Sequence, residues 1–252
     1  MKRNKLYIST VADDACQTAR RYGLGLEIAE YCTAWNMDDH FAETDAAVRA
    51  EMQNTSRFVF HAPFNELSPA AIDPLVLDVT RRRYTQAITL ARSYGIRKIV
   101  IHSGFTPQIY YKPWFEDRAI AFWQDYIKSV PEDTRIVMEN VLEDEPELLL
   151  KVIRAVDDPR LRLCLDIGHI NAYSPVSAEK WVETCGELIG HFHIHNNSGA
   201  ADTHSGLTEG SIPMEKLLHL ARQAAPEATY TIESLHAEAS VSWLEAQGIL
   251  ED

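Results

Sequence analysis

The residue types best able to do chemistry recur along this chain at regular intervals rather than in one motif. His61, His102, Glu139, Asp166, His193 and Glu233 each stand at or near the end of a short apolar, β-branched run. His169 follows Asp166 by three positions, and Asp202 and His204 lie in the stretch after the run that carries His193. Imidazoles and carboxylates without thiolates suit Zn(II), Mn(II) or Fe(II). Brought to one place, five imidazoles and four carboxylates are costly to bury unless something positive binds them. Singly, each has an ordinary explanation: a hydrogen-bonded structural His, a carboxylate capping the next helix, or, for Asp166-Ile167-Gly168-His169, a turn. The joint pattern over consecutive run ends is what argues for a site. His191, His193 and His195 alternate and so face one side of their strand, with one or two of them supporting ligands rather than binding. Glu27 is a further candidate to reach the same place, whereas His40, His219 and His236 read as loop or helix residues.

The elements that must position these residues are legible as eight runs: 5–10, 24–29, 57–62, 97–103, 135–140, 162–167, 191–196 and 229–234. Between them apolar residues fall at helical spacing, as in Leu75, Leu77, Val79, Tyr84, Ala87, Ile88 and Ala91 before the stop signal Gly95. Near-continuous apolar strands alternating with helices predict parallel strands buried on both faces. Eight such units predict an α/β fold, a single (β/α)8 TIM barrel over residues 1–252, whose strand ends converge on one mouth. An open doubly wound sheet is the alternative, but no GxGxxG follows the first strand. There is no phosphate-cradling P-loop and no Ser-His-Asp arrangement at an elbow. Ser103-Gly104 reads as a tight turn.

Composition narrows the partners. The chain has 252 residues, 46% hydrophobic and 24% charged, with a net charge of -13. Such a surface repels phosphate backbones, and the one dense basic run, Arg81-Arg82-Arg83, reads as a solvated helix face. Cys16, Cys32, Cys164 and Cys185 are scattered without a CxxC pair, as in a reducing compartment. No run approaches the length of a membrane span or a signal peptide, so a cytoplasmic location is expected.

At its ligand-type residues the sequence resembles the xylose isomerase-like TIM barrels, which include endonuclease IV and sugar-phosphate isomerases and epimerases. The matching segments are FHAPF (His61), IHSGF (His102), MEN (Glu139), CLDIGH (Asp166, His169), HIHNN (His193), DTHSGLTEGSIP (Asp202, His204) and TIES (Glu233). The endonuclease branch implies nine ligands for three metal ions, and each has a counterpart here. By that resemblance His61 and His102 hold one metal, Asp202 and His204 with His169 hold the more exposed ions, and Glu139 bridges two. Asp166, His193 and Glu233 complete the set. Two departures stand out. The segment after strand two, YCTAWNMDDHFAETDAA, is acidic where the endonuclease branch binds DNA, so nucleic acid is not expected as a partner. No Arg follows His193, where the epimerase branch often holds substrate oxygens with one.

Three functions remain open from sequence. One is isomerisation or epimerisation of a small sugar or sugar phosphate with one metal on Glu139, Asp166, His193 and Glu233, where Glu139 and Glu233 move the proton. The second is phosphoester hydrolysis by two or three ions. The third is a non-catalytic metal- or sugar-binding barrel. One to three divalent ions per chain are implied, and a homo-oligomer stays open. Trp35, Tyr110, Tyr111 and Trp114 are expected in loops, lining a cleft or packing at an interface.

Overall fold

The computed structural model describes residues 1–251. Eight parallel strands close into a barrel in chain order. They are β1 (Leu6–Ser9), β2 (Gly25–Ile28), β3 (Phe58–His61), β4 (Lys98–His102), β5 (Arg135–Glu139), β6 (Leu161–Asp166), β7 (Ile189–Ile194) and β8 (Thr229–Ile232). The outer ring comprises α1 (Ala15–Tyr22), α2 (Phe41–Glu51), α3 (Pro74–Ser93), α4 (Lys112–Tyr126), α5 (Glu147–Val156), α6 (Ile167–Tyr173), α7 (Ala178–Cys185), α8 (Met214–Ala224) and α9 (Glu238–Ala246). Every strand falls on an expected run to within about two residues, the usual uncertainty of an element end. Asp166-Ile167-Gly168-His169 is not a free turn: it opens α6, with His169 inside the helix.

Alternation along each strand sends one set of side chains outward to the helices. Ile8, Leu26, Phe60, Ile99, Ile101, Ile136, Leu163 and Ile194 are fully buried there in one continuous core. Each such side chain contributes roughly 1.5–3 kcal/mol by leaving water. The other set points into the barrel, where Val59, Val100, Val137 and Cys164 form a small separate cluster with Tyr7 against it. Above this plug the interior turns polar. On β7 the register shifts so that Leu163 faces Ile189 but Cys164 faces His191, which leaves Gly190 as an extra residue. A Cβ on Gly190 would lie 2.9 Å from the Cβ of Arg162, so only glycine fits the irregularity. Beyond it His191, His193 and His195 are all fully buried. No helix among the described residues is long and apolar enough to cross a membrane.

Candidate metal centre

The nine expected residues do converge at the carboxyl ends of the strands, in two groups joined by one carboxylate. Glu139, at the end of β5, is the hub. Its Oε2 lies 3.3 Å from Nε2 of His61 and 3.3 Å from Nε2 of His102. Its Oε1 lies 3.2 Å from Nδ1 of His193 and 3.4 Å from Nδ1 of His169. Glu233, just past β8, brings Oε2 to 3.3 Å from the same Nδ1 of His193, and Asp166 Oδ2 is 3.8 Å away. Farther out, Asp202 Oδ2 stands 3.2 Å from Nε2 of His169 and 3.1 Å from Nε2 of His204.

Hydrogen bonds to main-chain carbonyls fix which nitrogen of several imidazoles is free. Nδ1 of His61 is 2.9 Å from Ala62 O, Nδ1 of His169 is 2.9 Å from Asn140 O, and Nδ1 of His204 is 2.8 Å from Glu233 O. A carbonyl can only accept, so the network assigns the proton of a neutral ring to Nδ1. The Nε2 lone pairs are then aimed at carboxylate oxygens, an arrangement that repels unless a proton or a cation lies between. Glu139 Oε2, Asp202 Oδ1, Nδ1 of His195 and both ring nitrogens of His193 are buried without a hydrogen-bond partner. Unpaired buried polar atoms of this kind cost roughly 1–3 kcal/mol each, and an ion is one of the few things that satisfies several at once. His61, His102 and Glu139 place donor atoms within 4.8 Å of one another, as do His169, Asp202 and His204. Residue types, spacing and unpaired atoms therefore fit divalent cations.

Charge follows this geometry. Burial pulls His169 and His204 toward the neutral form, but the carboxylates around them outweigh it and raise His169 to about 10 and His204 to about 9. Burial works against His193 and His61 too, and their neighbours nonetheless raise both well above the usual range. His102 goes the other way: burial overcomes the pull of Glu139 and lowers it to about 3. Burial would raise Glu139, yet His193 and His102 hold it well below the carboxylate range. Burial does raise Glu233, against the pull of His193.

A second layer of side chains holds these residues. Glu27 Oε1 is 3.0 Å from Nε2 of His193, in contact though not aligned as a full hydrogen bond. Glu27 Oε2 accepts from Thr231 Oγ1 at 2.6 Å and is 3.2 Å from His191 Nε2, while His191 Nδ1 meets Thr229 Oγ1 at 2.5 Å. Lys98 donates to the same Thr229 hydroxyl at 2.6 Å. A polar column thus runs down the barrel axis beneath His193. Glu27 belongs to this support. Its signal in the sequence was a lone acid inside an apolar strand run. His191 lies in the column, not at the mouth.

His195 supports the outer group. Its Nε2 is 3.1 Å from Asp166 Oδ1, and its ring stacks on His204 at 4.1 Å. A Cβ on Gly168 would sit 1.9 Å from Cε1 of His195, so glycine there is what admits the ring. Asp166 also caps α6, accepting from His169 N at 2.7 Å, so the ordinary helix-cap explanation holds alongside the site. His204 adopts φ 47°, a left-handed conformation uncommon outside glycine, and is held there by its bond to Glu233 O.

Beside His102 is a cavity of about 190 Å³ lined by Phe64, Leu67, Phe105, Tyr110 and Val141. Phe64 stacks on the His102 ring at 4.1 Å. Of the four aromatics expected in loops, Tyr110 reaches this cavity and Tyr111 is 86% exposed, whereas Trp35 lies in a short 3-10 turn, 72% exposed, and Trp114 is inside the first turn of α4. A larger groove of about 730 Å³ lies outside the barrel along α2 and α3, lined by Met37, Phe41 and Gln86, and carries none of the ligand-type residues. Cys32 Sγ lies 3.3 Å from Nδ1 of His61, a neighbour that sequence spacing did not reveal. His219 sits on α8 beside Gln223, His236 pairs with Asp13, and His40 precedes α2, all away from the centre.

A closed eight-stranded parallel barrel with side chains able to hold a metal ion at its carboxyl mouth defines the class. Residues 17–250 match the family model described as xylose isomerase-like TIM barrel, and the chain belongs to that family. It is 29% identical over 187 residues to the uncharacterized protein MJ1311 of Methanocaldococcus jannaschii, covering 70% of this chain and 64% of that protein. The match thus spans less than two thirds of that relative's length. Among solved structures it resembles the TTHB071 protein from Thermus thermophilus soaked with ZnCl2, with TM-score 0.77, 22% identity and 96% and 97% of the two chains covered. It also resembles the D-allulose 3-epimerase from Methylomonas sp. in complex with D-allulose, with TM-score 0.72, 17% identity and 98% and 90% covered. At these identities the likenesses establish the fold.

Proposed function

We propose that this protein is a divalent-metal-dependent isomerase or epimerase of a small sugar. The observation that carries the reading is the convergence of Glu139 and Glu233, from different walls of the barrel, on Nδ1 of His193 with opposite charge tendencies. Glu139 is held as a carboxylate and burial favours the protonated form of Glu233. Two carboxyl groups pushed apart in this way are suited to act as base and acid on one substrate. A divalent ion (Zn, Mn or Fe) held by Glu139, Asp166, His193 and Glu233 would supply Lewis-acid polarisation of a carbonyl and its neighbouring hydroxyl. Glu139 removes the proton from the carbon beside the carbonyl, the electron pair moving into the carbonyl to give an enediolate. Glu233 delivers a proton to the opposite face, giving the epimer, or to the adjacent carbon while the hydroxyl proton passes to the former carbonyl oxygen, giving the isomer. Phe64 and Tyr110 offer apolar surface to the C–H faces of a sugar. The D-allulose 3-epimerase with a similar fold supports this choice, and the zinc-soaked TTHB071 protein supports a metal.

A second reading, phosphoester hydrolysis, is favoured by one observation: His169, Asp202 and His204 form a complete ligand group of their own beside the hub. The test is incubation of the metal-loaded protein with a panel of ketoses and aldoses in D2O. Deuterium is expected at the carbon next to the carbonyl of the product, with activity lost on chelation and restored by metal. Absence of exchange on every sugar, together with hydrolysis of phosphoesters, would replace the first reading by the second.

A further inference from the structure

Lysine and arginine are unevenly placed on this barrel. Among the described residues, none of the seven loops that lead from a strand to the next helix contains either, and β6 runs directly into α6. The loops instead carry Asp13, Asp14, Asp38, Asp39, Glu66 and Glu145, among other acids. The first turns of the nine helices contain three basic residues, Lys112, Lys180 and Lys216. Lys112 is bound at 2.6 Å to both Asp144 and Glu145, Lys216 is 3.3 Å from Glu179, and Lys180 is exposed on the outer ring. His236, at the rim, is paired with Asp13 at 2.7 Å.

Backbone donors could replace cations, and in this architecture they usually sit in the loops after the seventh and eighth strands, at a helix N-terminus. Here that place is taken. The carboxylate of Asp14 accepts from Ala237 N at 2.7 Å and from Glu238 N at 2.9 Å, at the start of α9. A carboxylate from the first loop therefore takes the N–H groups that open α9, and brings its own negative charge there. At α8, Pro213 has no N–H to give, Met214 N is bonded to Ile212 O, and Glu215 adds an acid to the first turn. In the seventh loop Gly199 N goes to Asn197 Oδ1 and Ile212 N to Asn196 Oδ1.

We infer that the substrate is an unphosphorylated, uncharged polyhydroxy compound, and that Asp14 is a specificity residue which excludes a phosphate from the α9 N-terminus. This rests on the isomerase reading and names its substrate class. It concerns a non-reacting phosphate, which needs donors of its own. A reacting phosphoryl group would lie on the metal ions themselves.

The experiment uses the metal-loaded full chain with D-fructose, D-tagatose and D-ribulose against D-fructose 6-phosphate, D-tagatose 6-phosphate and D-ribulose 5-phosphate. The kcat/KM on a free sugar is expected to exceed that on its ester by at least about a hundredfold, a lower bound well inside the rejection reached when a polar group finds no partner. Asp14→Ala uncovers two N–H groups and should narrow that ratio by about tenfold or more, since both can then bond a phosphate oxygen with charge assistance. Asp14→Asn, which keeps an acceptor, should leave the ratio closer to the parent. Equal or better turnover of the esters by the parent overturns the inference. If no sugar of either kind turns over, the isomerase reading fails, and competitive binding of the same pairs decides this one. Tighter binding of the esters overturns it, and no preference for them supports it.

Discussion

The two ligand groups differ in what holds them, although they share Glu139. His61, His102, Glu139 and His193 are on strands, all but the half-buried His102 buried in the barrel, with His193 resting on the Glu27–His191–Thr231 column. His169, Asp202 and His204 lie on a helix start and a long loop, and the His204 side chain is 30% exposed with a left-handed backbone. Strand-borne ligands are fixed by the same packing that closes the barrel, whereas loop-borne ligands depend on local bonds such as His204 to Glu233 O. The inner group is therefore the more rigidly placed of the two, and the outer one the more accessible to solvent.

The contrast breaks most sharply at the shared carboxylate. Glu139→Ala should lower kcat by about a thousandfold, within the range for loss of an acid–base group, and should also reduce bound metal measured by elemental analysis. Retention of full metal with only kcat lost would show that Glu139 moves protons without bridging ions. Next in size is the support beneath the inner group. Glu27→Gln should weaken the metal held at His193 by roughly ten- to a hundredfold in chelator competition, as loss of an outer partner does elsewhere. If affinity is unchanged, the axial column serves packing alone.

His204→Ala tests the outer group. Metal stoichiometry should fall, while sugar turnover changes by no more than about threefold, because the acid–base pair is untouched. A loss as large as that of Glu139→Ala would favour multinuclear hydrolysis over isomerisation. The smallest expected effect is with pH. His169 and His204 are raised to about 10 and 9 when no cation is present. A histidine whose folded pKa lies above its unfolded value stabilises the fold fully below the unfolded value, and that stability fades as pH rises through the folded one. The Tm of chelated protein should thus decline between about pH 6.5 and pH 10 from these groups. Metal-loaded protein should hold its Tm better over that window, since a cation replaces the protons and binds more tightly as they leave. Parallel Tm profiles with and without metal would mean that the outer group binds none.

Much of this is legible in the sequence. Parallel strands buried on both faces must be apolar throughout, so Ile99-Val100-Ile101 or Leu163-Cys164-Leu165 could hardly be read otherwise, and a His or carboxylate ending each run then falls at one mouth. Residue type and period determined the barrel and which side chains gather at its mouth. Spacing could not decide how the members pair. That Glu139 joins two groups, that His191 turns down the axis while His195 turns to Asp166, and that Glu27 underlies His193 follow from closing β8 onto β1 and from the extra residue at Gly190. Asp14 reaches the N–H groups of α9 across 223 positions of sequence. Composition and period act over a few residues, so the chain itself determined which chemistry is present. Contacts between the first and last units of a closed ring exist only once the ring has closed, so the tertiary structure alone decided which donors are spent within the protein and which remain for a ligand.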